Sequence, residues 1–449
     1  MPGTIKLKRG LDINLKGKPQ TELTELPLAE TYALKPVDYK FVTPRVQAKV
    51  GDKVKAGTVL FYDKYRPDIV FTSPVSGEVI EIRRGERRRI LEYVVKADAE
   101  IEYETFDVSS PSQMSAEDII NVLLKSGLWS AIIQRPYGIV ADPQTRPKAV
   151  HISTFDTAPL APDYQFVFKD DLEEFQLGID VLARISNAKI FLNLDGRVKN
   201  NIFEQIKGVE KTYFIGKHPA GNVGIQIHHL TPIVKGDIVW TVSAQDVVFI
   251  GRLFKTGHLD LSRIIALAGS EVARPQYYKV IAGTNIQPIV DKQVTNDNVR
   301  YISGNVLTGL KVEKNGFLGR FDNMITVIPE GNYYEFMAWA GLGLKKYSTS
   351  RTFFSWLFPK KEWVIDTNLH GGVRPFVLTG RMDSVLPMEI MPEYLLKAII
   401  ANDIDRMEAL GIYEVVEEDL ALCEFVCASK IDIQDIVTQG LQAMIKEMG

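Results

Sequence analysis

The residues best suited to chemistry in this 449-residue chain are its two cysteines, Cys423 and Cys427, near the carboxyl terminus. Their spacing is that of the last two thiolates in the iron–sulfur run C-x2-C-x2-C-x3-C, in which four thiolates hold the metal. Glu417 and Leu420 occupy the positions of the first two, so an all-cysteine cluster on this chain alone is excluded. Zinc would need two further ligands, which the sequence does not identify. We therefore predict two buried structural cysteines on one helix face.

Three of the six histidines form a second group, with His218 inside the segment 216–223 and with His228 and His229 shortly after it. Metal binding would need a third or fourth ligand, and adjacent residues on a strand point to opposite faces. The segment 216–223 has two glycines five positions apart but lacks the Lys and Ser/Thr of a phosphate-binding loop. We predict no metal site and a surface loop, with ligand or partner contact as the alternative.

Aromatic side chains flanked by Arg and Lys make up much of residues 351–363, a composition typical of membrane interfaces and protein–protein hot spots. The predicted contact residues for a membrane-embedded partner are Arg351, Phe353, Phe354, Trp356, Phe358, Lys360 and Lys361. Core packing is the alternative for Phe354 and Trp356. The basic stretch 83–89 fits either a solvated turn or a contact with anionic lipid or an acidic partner. No acid/base pair or nucleophile motif stands out, so we assign no catalytic residue.

Composition and charge narrow the class of protein. Apolar residues make up 45% of the chain and charged residues 24%, as in ordinary folded soluble proteins. Lys and Arg total 53 against 56 for Asp and Glu, and this near balance argues against a nucleic-acid partner. The sequence has neither an apolar run of about 18 residues nor the apolar segment of a signal peptide. We expect a cytoplasmic chain that reaches a membrane through a partner or a surface.

The periodicity of apolar residues predicts an α/β protein of several domains. Alternating apolar residues and glycine-containing turns predict β-structure over roughly the first hundred residues. Alternating elements then predict a parallel sheet with helices on its faces, with strands at 149–153, 189–194 and 212–215 and helices at 172–185 and 198–206. Short strands follow, and the last hundred-odd residues turn helical, with helices predicted at 392–401, 404–410, 417–426 and 433–447.

The predicted domain boundaries follow these changes of pattern. They give an amino-terminal segment (1–35), a barrel-sandwich unit (36–100), a Rossmann-like α/β domain (101–255), a β-grasp-like module (256–335) and a C-terminal helical domain (336–449). The barrel-sandwich unit resembles a biotinyl or lipoyl carrier in its halves Gly-Asp-x-Val-x-x-Gly, from Gly51, and Pro-Val-x-Gly-x-Val, from Pro74. Lys64 is the candidate for a modified lysine, but it lies closer to Leu60 than in lipoyl carriers. We favour a structural copy of that fold.

Several stretches carry a resemblance over the full length of the chain. They are KLKRGLD (6–12), SGLW (126–129), GKHPAG (216–221), VW (239–240) with QDV (245–247), and EEDLALCE (417–424). In this order they resemble the NqrA subunits of the Na⁺-translocating NADH:quinone oxidoreductase. More distantly, the chain is similar to the RnfC subunits of the ion-translocating ferredoxin:NAD oxidoreductase and to the NADH-binding subunit of respiratory complex I. Residues 300–331 resemble the soluble-ligand-binding β-grasp module of these proteins, and the C-terminal helices resemble a degenerate ferredoxin-type helical domain.

The resemblance implies a complex that oxidises NADH, reduces ubiquinone or menaquinone and exports Na⁺. This chain would be a peripheral subunit on the cytoplasmic side of the inner membrane, held by membrane-embedded and other partner subunits. Its flavin- and NADH-binding relatives carry a glycine-rich loop, because the backbone must approach the phosphates closely. Residues 128–137 contain no glycine here, and Pro136 lacks a backbone donor. We therefore predict no flavin, NADH or Fe–S centre on this subunit.

The cofactors NADH, FAD, FMN and Fe–S are accordingly expected on other subunits of the complex. The role of this chain would be assembly, with quinone as a candidate substrate. A stand-alone soluble NADH-dependent flavoprotein dehydrogenase is the alternative function, and a lipoyl-type carrier is a second. The visible spectrum of flavin tests the first alternative, and the intact mass tests the second.

Overall fold

The computed structural model describes residues 3–337, 341–350 and 352–448. The strands within these residues are β1 (Gly3–Lys6), β2 (Leu23–Glu25), β3 (Thr31–Leu34), β4 (Pro44–Val46), β5 (Lys53–Val54), β6 (Val59–Asp63), β7 (Val70–Thr72), β8 (Gly77–Arg84), β9 (Ile90–Ala97), β10 (Ile133–Arg135), β11 (Ile139–Val140), β12 (Ala149–Ser153), β13 (Lys189–Asp195), β14 (Glu210–Ile215), β15 (Val239–Thr241), β16 (Ser262–Ala268), β17 (Gln276–Ile281), β18 (Val299–Ser303), β19 (Leu310–Val312) and β20 (Met324–Pro329). The α-helices are α1 (Ala116–Lys125), α2 (Tyr164–Val167), α3 (Leu172–Ser186), α4 (Val223–Leu230), α5 (Ala244–Thr256), α6 (Gln287–Val290), α7 (Pro392–Ile400), α8 (Ile404–Ala409), α9 (Glu417–Val426) and α10 (Ile433–Met448).

The largest sheet has seven strands in the order β1-β14-β13-β12-β15-β10-β11. Strands β1, β14, β13, β12 and β15 are parallel, and β10 runs antiparallel to both of its neighbours. Strands β12 and β13 are buried along almost their whole length, as expected for parallel strands covered on both faces. The predicted parallel sheet is therefore confirmed, with a short antiparallel edge that the sequence pattern did not indicate.

Helices α3 and α5 pack against each other at very short distance, because two glycines face the partner backbone. A Cβ atom on Gly251 would lie 1.8 Å from the Glu174 carbonyl oxygen, and one on Gly178 would lie 2.1 Å from that of Val247. Each of these contacts leaves no room for a larger residue. Ser243 fixes the start of α5 by accepting a hydrogen bond from the Asp246 backbone N–H at 3.1 Å.

The other three sheets are built from strands of the first hundred residues and of residues 262–329. One has six strands in the order β19-β18-β20-β16-β17-β2, one has four in the order β3-β9-β8-β5, and one has three in the order β4-β6-β7. The predicted amino-terminal segment contributes to three of the sheets, since β1 pairs with β14, β2 pairs with β17 and β3 pairs with β9. The positions of the domain boundaries stay a prediction.

Most of the predicted helices and strands of the α/β domain are confirmed, and one helix is wrong. Strands β12, β13 and β14 and helix α3 lie where the pattern placed them. The predicted helix at 198–206 is only a 3₁₀ turn at Ile202–Gln205. Asn200 has a left-handed backbone with φ +55°, which a continuous α-helix does not tolerate.

The C-terminal part is helical only from Pro392 onward, where α7 to α10 confirm the prediction. Between β20 and α7 the described residues are mostly irregular, with 3₁₀ turns at Phe354–Leu357 and Met382–Ser384. Trp363 anchors this region, because its side chain is buried and its backbone N–H donates to the Asn14 carbonyl at 2.8 Å. The four predicted helices all lie at or after Pro392, so the irregular residues before it contradict none of them.

Candidate functional site

The stretch that takes the place of a glycine-rich loop is filled with side chains. Residues Leu128–Ala131 form a buried 3₁₀ turn. The Trp129 indole N–H donates to the Ala141 carbonyl at 2.8 Å, and its ring meets Trp240 edge-on with 5.6 Å between centroids. A flavin or dinucleotide pyrophosphate needs open space and free backbone N–H groups at such a loop. The residues present therefore do not fit flavin or NADH at this position.

Arg135, the last residue of β10, forms a buried ion-pair cluster with the first turn of α9. Its Nη1 lies 3.1 Å from Asp419 Oδ2, and its Nη2 lies 2.6 Å from Glu418 Oε1. Arg135 is 4% exposed and Asp419 is 1% exposed. Burial raises the pKa of Asp419, and the Arg135 guanidinium opposes that rise. The cluster ties the stretch in place of the nucleotide loop directly to the helix of the cysteine pair.

The two cysteines are buried, as predicted, but only Cys423 lies within α9, because the helix ends at Val426 and Cys427 follows it. Cys423 Sγ lies 3.9 Å from the Met382 carbonyl oxygen, and burial raises the pKa of its thiol. In the positions of the two other ligands, Glu417 pairs with Lys40 at 2.6 Å and Leu420 is buried. Two thiols, an ion-paired glutamate and a leucine do not supply the four thiolates that such an Fe–S cluster needs. Within the described residues, no group of three or more His, Cys, Asp and Glu side chains is placed to hold a metal ion.

His228 and His229 lie on helix α4 rather than on a strand. His228 Nδ1 is 2.8 Å from Glu414 Oε2, and its Nε2 accepts from the Glu389 backbone N–H at 3.0 Å. His229 Nε2 is 2.9 Å from the Pro387 carbonyl oxygen. Both histidines therefore fasten α4 to the C-terminal region.

The segment 216–223 is largely buried, so the predicted surface loop is wrong. The Gly221 backbone N–H donates to Thr157 Oγ1 at 2.9 Å, and that hydroxyl lies 3.2 Å from His218 Nδ1. Asn222 donates its side-chain N–H to the Glu418 carbonyl at 3.1 Å. These polar groups contact other parts of the same chain.

The predicted partner-contact segment is exposed. Phe354, Trp356 and Phe358 are 51%, 44% and 50% exposed, so core packing, the alternative for the first two, is wrong. Phe353 is half-buried against Gly343, Lys360 and Lys361 are exposed, and Arg351 lies outside the described residues. Neighbouring positions of the same irregular region add further exposed apolar side chains, namely Tyr334, Phe336, Leu342, Leu369 and Val373.

Two other features of the sequence lie in exposed turns of the barrel-sandwich unit. The basic stretch 83–89 forms the tip between β8 and β9, where Arg83 pairs with Glu81 and Glu92, each at 2.8 Å. Lys64 lies exposed in the turn between β6 and β7. A contact of the tip with lipid and a modification of Lys64 both stay predictions.

Two cavities lie against the six-stranded sheet. The larger has a volume of about 390 Å³ and lies between that sheet and the barrel-sandwich unit. Leu26, Ile101 and Ile281 give it apolar walls, and the buried Tyr32 hydroxyl accepts a hydrogen bond from the Ala29 backbone N–H at 3.0 Å. The smaller has a volume of about 40 Å³ and lies between the start of α5 and strand β16.

Sequence reasoning missed the buried arginines of these sites. Arg135 and its partner Asp419 are 284 residues apart in the sequence, and no local sequence pattern indicates such a pair. Arg263 stands alone in the otherwise apolar run of β16, Ser262–Ala268, and lines the smaller cavity. A single arginine in an apolar strand is a signal that could have identified that position, because unpaired charges are rarely buried.

Comparison with known proteins places the chain in a family. Three family models match it: "NqrA N-terminal barrel-sandwich hybrid domain" over residues 5–98, "NqrA second alpha/beta domain" over 114–259, and "NQRA C-terminal domain" over 264–314. Among the described helices, none combines the length and apolar character that crossing a bilayer requires.

Two curated relatives, both NqrA subunits of a Na(+)-translocating NADH-quinone reductase, are similar over nearly their whole length. The protein of Yersinia pestis bv. Antiqua (strain Angola) is 37% identical over 97% of this chain and 99% of its own. That of Neisseria meningitidis serogroup A is 36% identical over 99% of this chain and 100% of its own. A solved structure of NAD⁺-reducing NiFe hydrogenase gives a TM-score of 0.38 at 13% identity over 76% of this chain and 62% of its own, which supports no conclusion. The chain belongs to the NqrA family of subunits of the Na⁺-translocating NADH-quinone reductase.

Proposed function

We propose that this chain is a peripheral subunit of a Na⁺-translocating NADH:quinone reductase, on the cytoplasmic side of the inner membrane. Membrane-embedded partner subunits hold it there, and its role is assembly. The observation that carries the proposal, beyond family membership, is the exposed aromatic and basic segment at 353–361. The names of the relatives supply the reaction of the whole complex.

Exposed aromatic side chains in this number favour a partner surface. Phe354, Trp356 and Phe358 each leave about half of their surface in water, and Lys360 and Lys361 follow them directly. Burial of half an aromatic side chain contributes about 2 kcal/mol. Basic side chains beside aromatic ones suit the level of the lipid headgroups or an acidic rim on a partner.

The test replaces Phe354, Trp356 and Phe358 together by Ser in the complete complex. We expect the variant chain to stay folded and to appear in the soluble fraction after detergent-free membrane preparation. A matched control replaces Tyr65, Val234 and Leu310 by Ser, because these are equally exposed apolar residues elsewhere on the chain. Equal membrane retention of the two triple variants would contradict the proposed docking segment.

The packing of the chain supports a subunit without its own redox centre. Trp129 fills the position of the nucleotide loop, and Glu417 and Leu420 replace two thiolates. NADH, FAD, FMN and Fe–S are then expected on other subunits of the complex. The same packing disfavours the alternative of a stand-alone flavoprotein dehydrogenase, because such an enzyme needs room for the cofactor within this chain.

Quinone binding is a second candidate function, favoured by the 390 Å³ cavity. Its volume and its apolar walls at Leu26, Ile101 and Ile281 suit a quinone ring, which needs an apolar slot with a hydrogen-bond donor. The Tyr32 hydroxyl accepts a hydrogen bond from the Ala29 backbone N–H and also bonds the Thr284 side chain, and it supplies the donor when its proton turns toward the quinone oxygen.

The quinone test fills the cavity. We expect Ile281→Trp in the complete complex to raise the KM for quinone about tenfold with intact assembly, since the larger ring occupies the slot. Val234→Trp, on an exposed turn, is the matched control. An unchanged KM in the assembled Ile281→Trp complex would remove this cavity as a quinone site and leave the assembly role unaffected.

A further inference from the structure

Arg263 is a buried cation with unused hydrogen-bonding capacity. It lies on β16 and is 4% exposed. Its Nη1 donates to the Arg320 carbonyl at 2.9 Å, whereas Nε and Nη2 are buried without a hydrogen-bond partner. These two nitrogens lie on the same edge of the planar guanidinium, so their N–H groups point side by side in one direction. This edge of a guanidinium can bind an oxyanion through two parallel hydrogen bonds.

The cavity beside Arg263 is polar and small. Its volume is about 40 Å³, and its lining includes Tyr164, Gln245 and Asn323. Gln245 Nε2 is also buried without a partner. Gln245 lies in the first turn of the thirteen-residue helix α5, where the helix dipole favours negative charge. Unpartnered donors from a strand and from a helix amino terminus therefore line one partly open cavity.

The charges around the cavity leave Arg263 without a counterion. Asp246 lines the cavity, but its Oδ1 pairs with Arg320 Nη2 at 2.6 Å and its Oδ2 accepts from Ser243 at 2.7 Å. Asp322 accepts from Ser303 at 2.5 Å. Among the described residues, no carboxylate forms an ion pair with Arg263 within 4.0 Å. A buried and unpaired guanidinium is costly, and a bound anion removes that cost.

We propose that this cavity binds one small inorganic oxyanion of the phosphate or sulfate class. Nε and Nη2 of Arg263 hold it with two hydrogen bonds, and Gln245 Nε2 donates a third. Arg263 comes from the six-stranded sheet and Gln245 from the α/β part, so the anion connects the two. The volume excludes a nucleotide, which is several times larger than the space.

The test uses the full chain in phosphate-free buffer, with inorganic phosphate added at constant ionic strength. We expect a saturable rise of a few degrees in the melting temperature and a calorimetric stoichiometry of about one phosphate per chain. Sulfate should act similarly, whereas chloride at equal ionic strength should not. Adenosine monophosphate serves as the probe for a larger phosphate ligand.

Three variants identify the residues. Arg263→Met and Gln245→Leu should abolish or weaken the phosphate response at least tenfold, whereas Arg274→Met, which removes an exposed arginine paired with Glu22, should retain it. In phosphate-free buffer Arg263→Met should melt at or above the wild-type temperature, because an uncompensated buried charge is gone; this shows that it folds. A wild-type chain without a saturable response, an equal response in Arg263→Met, or tighter binding of adenosine monophosphate than of phosphate would each overturn the proposal.

Discussion

Arg135 and Arg263 are buried to the same degree but differ in what surrounds them. Both are 4% exposed. Arg135 meets two carboxylates at 2.6 and 3.1 Å, whereas Arg263 donates to a carbonyl and keeps two donors without a partner. The first arrangement ties strand β10 to the first turn of α9. The second leaves the Arg263 guanidinium without a carboxylate in direct contact within the described part of the chain. The burial of a charged residue thus does not by itself show that its role is structural. The groups that contact the charge show whether it is already satisfied within the chain.

The largest effect is expected from breaking the paired cluster. Arg135→Met leaves Asp419 buried without its cation and should lower the free energy of unfolding by about 3–5 kcal/mol, measured by urea denaturation. The double variant with Asp419→Asn should recover much of the loss, because the buried charge is gone and the amide oxygen can still accept from Val416. Arg197→Met, at a half-exposed pair with Asp195, should cost at most about 1 kcal/mol. A loss below that of Arg197→Met would contradict the structural role of Arg135.

A smaller effect is expected beside the smaller cavity. Arg320→Met removes the partner of Asp246, but Arg263 lies close by and can take over that carboxylate. The free energy of unfolding should therefore fall by only about 2 kcal/mol, less than for Arg135→Met. The response to phosphate should also weaken, since Arg263 then has a counterion. Calorimetry with inorganic phosphate checks this, and an unchanged response would show that Arg263 stays unpaired.

A further effect of about the same size concerns His151, a buried histidine. Burial, with a lesser contribution from the Lys148 ammonium, lowers the pKa of His151 on β12 to about 3. Unfolding frees this ring to take a proton below pH 6.5, so acid favours the unfolded chain, and stability present above pH 6.5 is lost as pH falls.

His151→Gln should remove that part of the acid sensitivity. Between about pH 6.5 and 4.5 the wild type should lose roughly 2 kcal/mol more than the variant. Chemical denaturation at both pH values gives the difference. Identical pH dependence of the two proteins would show that the ring is protonated in the folded chain.

The sequence predicted the elements far better than it predicted the sites. Alternation of apolar residues located β12, β13 and β14 because burial on a strand or helix face is a local property. The helix predicted at 198–206 failed at Asn200, whose backbone conformation overrides the apolar pattern. The resemblance to a known family also showed which glycines and cysteines this chain lacks, because a missing residue type can be seen directly in the sequence.

The side-chain contacts at the sites of the missing glycines and cysteines could not be predicted from the sequence. Arg135 and Asp419 are brought together only by the packing of α9 on the α/β part. The partner-contact segment could be predicted in part. Its composition indicated an exposed surface, and Phe354 and Trp356 are exposed. The partner itself stays a prediction. Local composition therefore indicates which surface is available, and long-range packing determines which charges are satisfied.

The cofactor content of this chain tests the central claim most directly, namely that its own side chains fill the positions of nucleotide and cluster. The chain is released from purified native complex, and flavin, iron and acid-labile sulfide are measured per chain. We predict amounts far below one per chain for all three, with flavin retained by the remaining subunits. One flavin, or iron and sulfide in cluster stoichiometry, bound to the released chain would contradict the account.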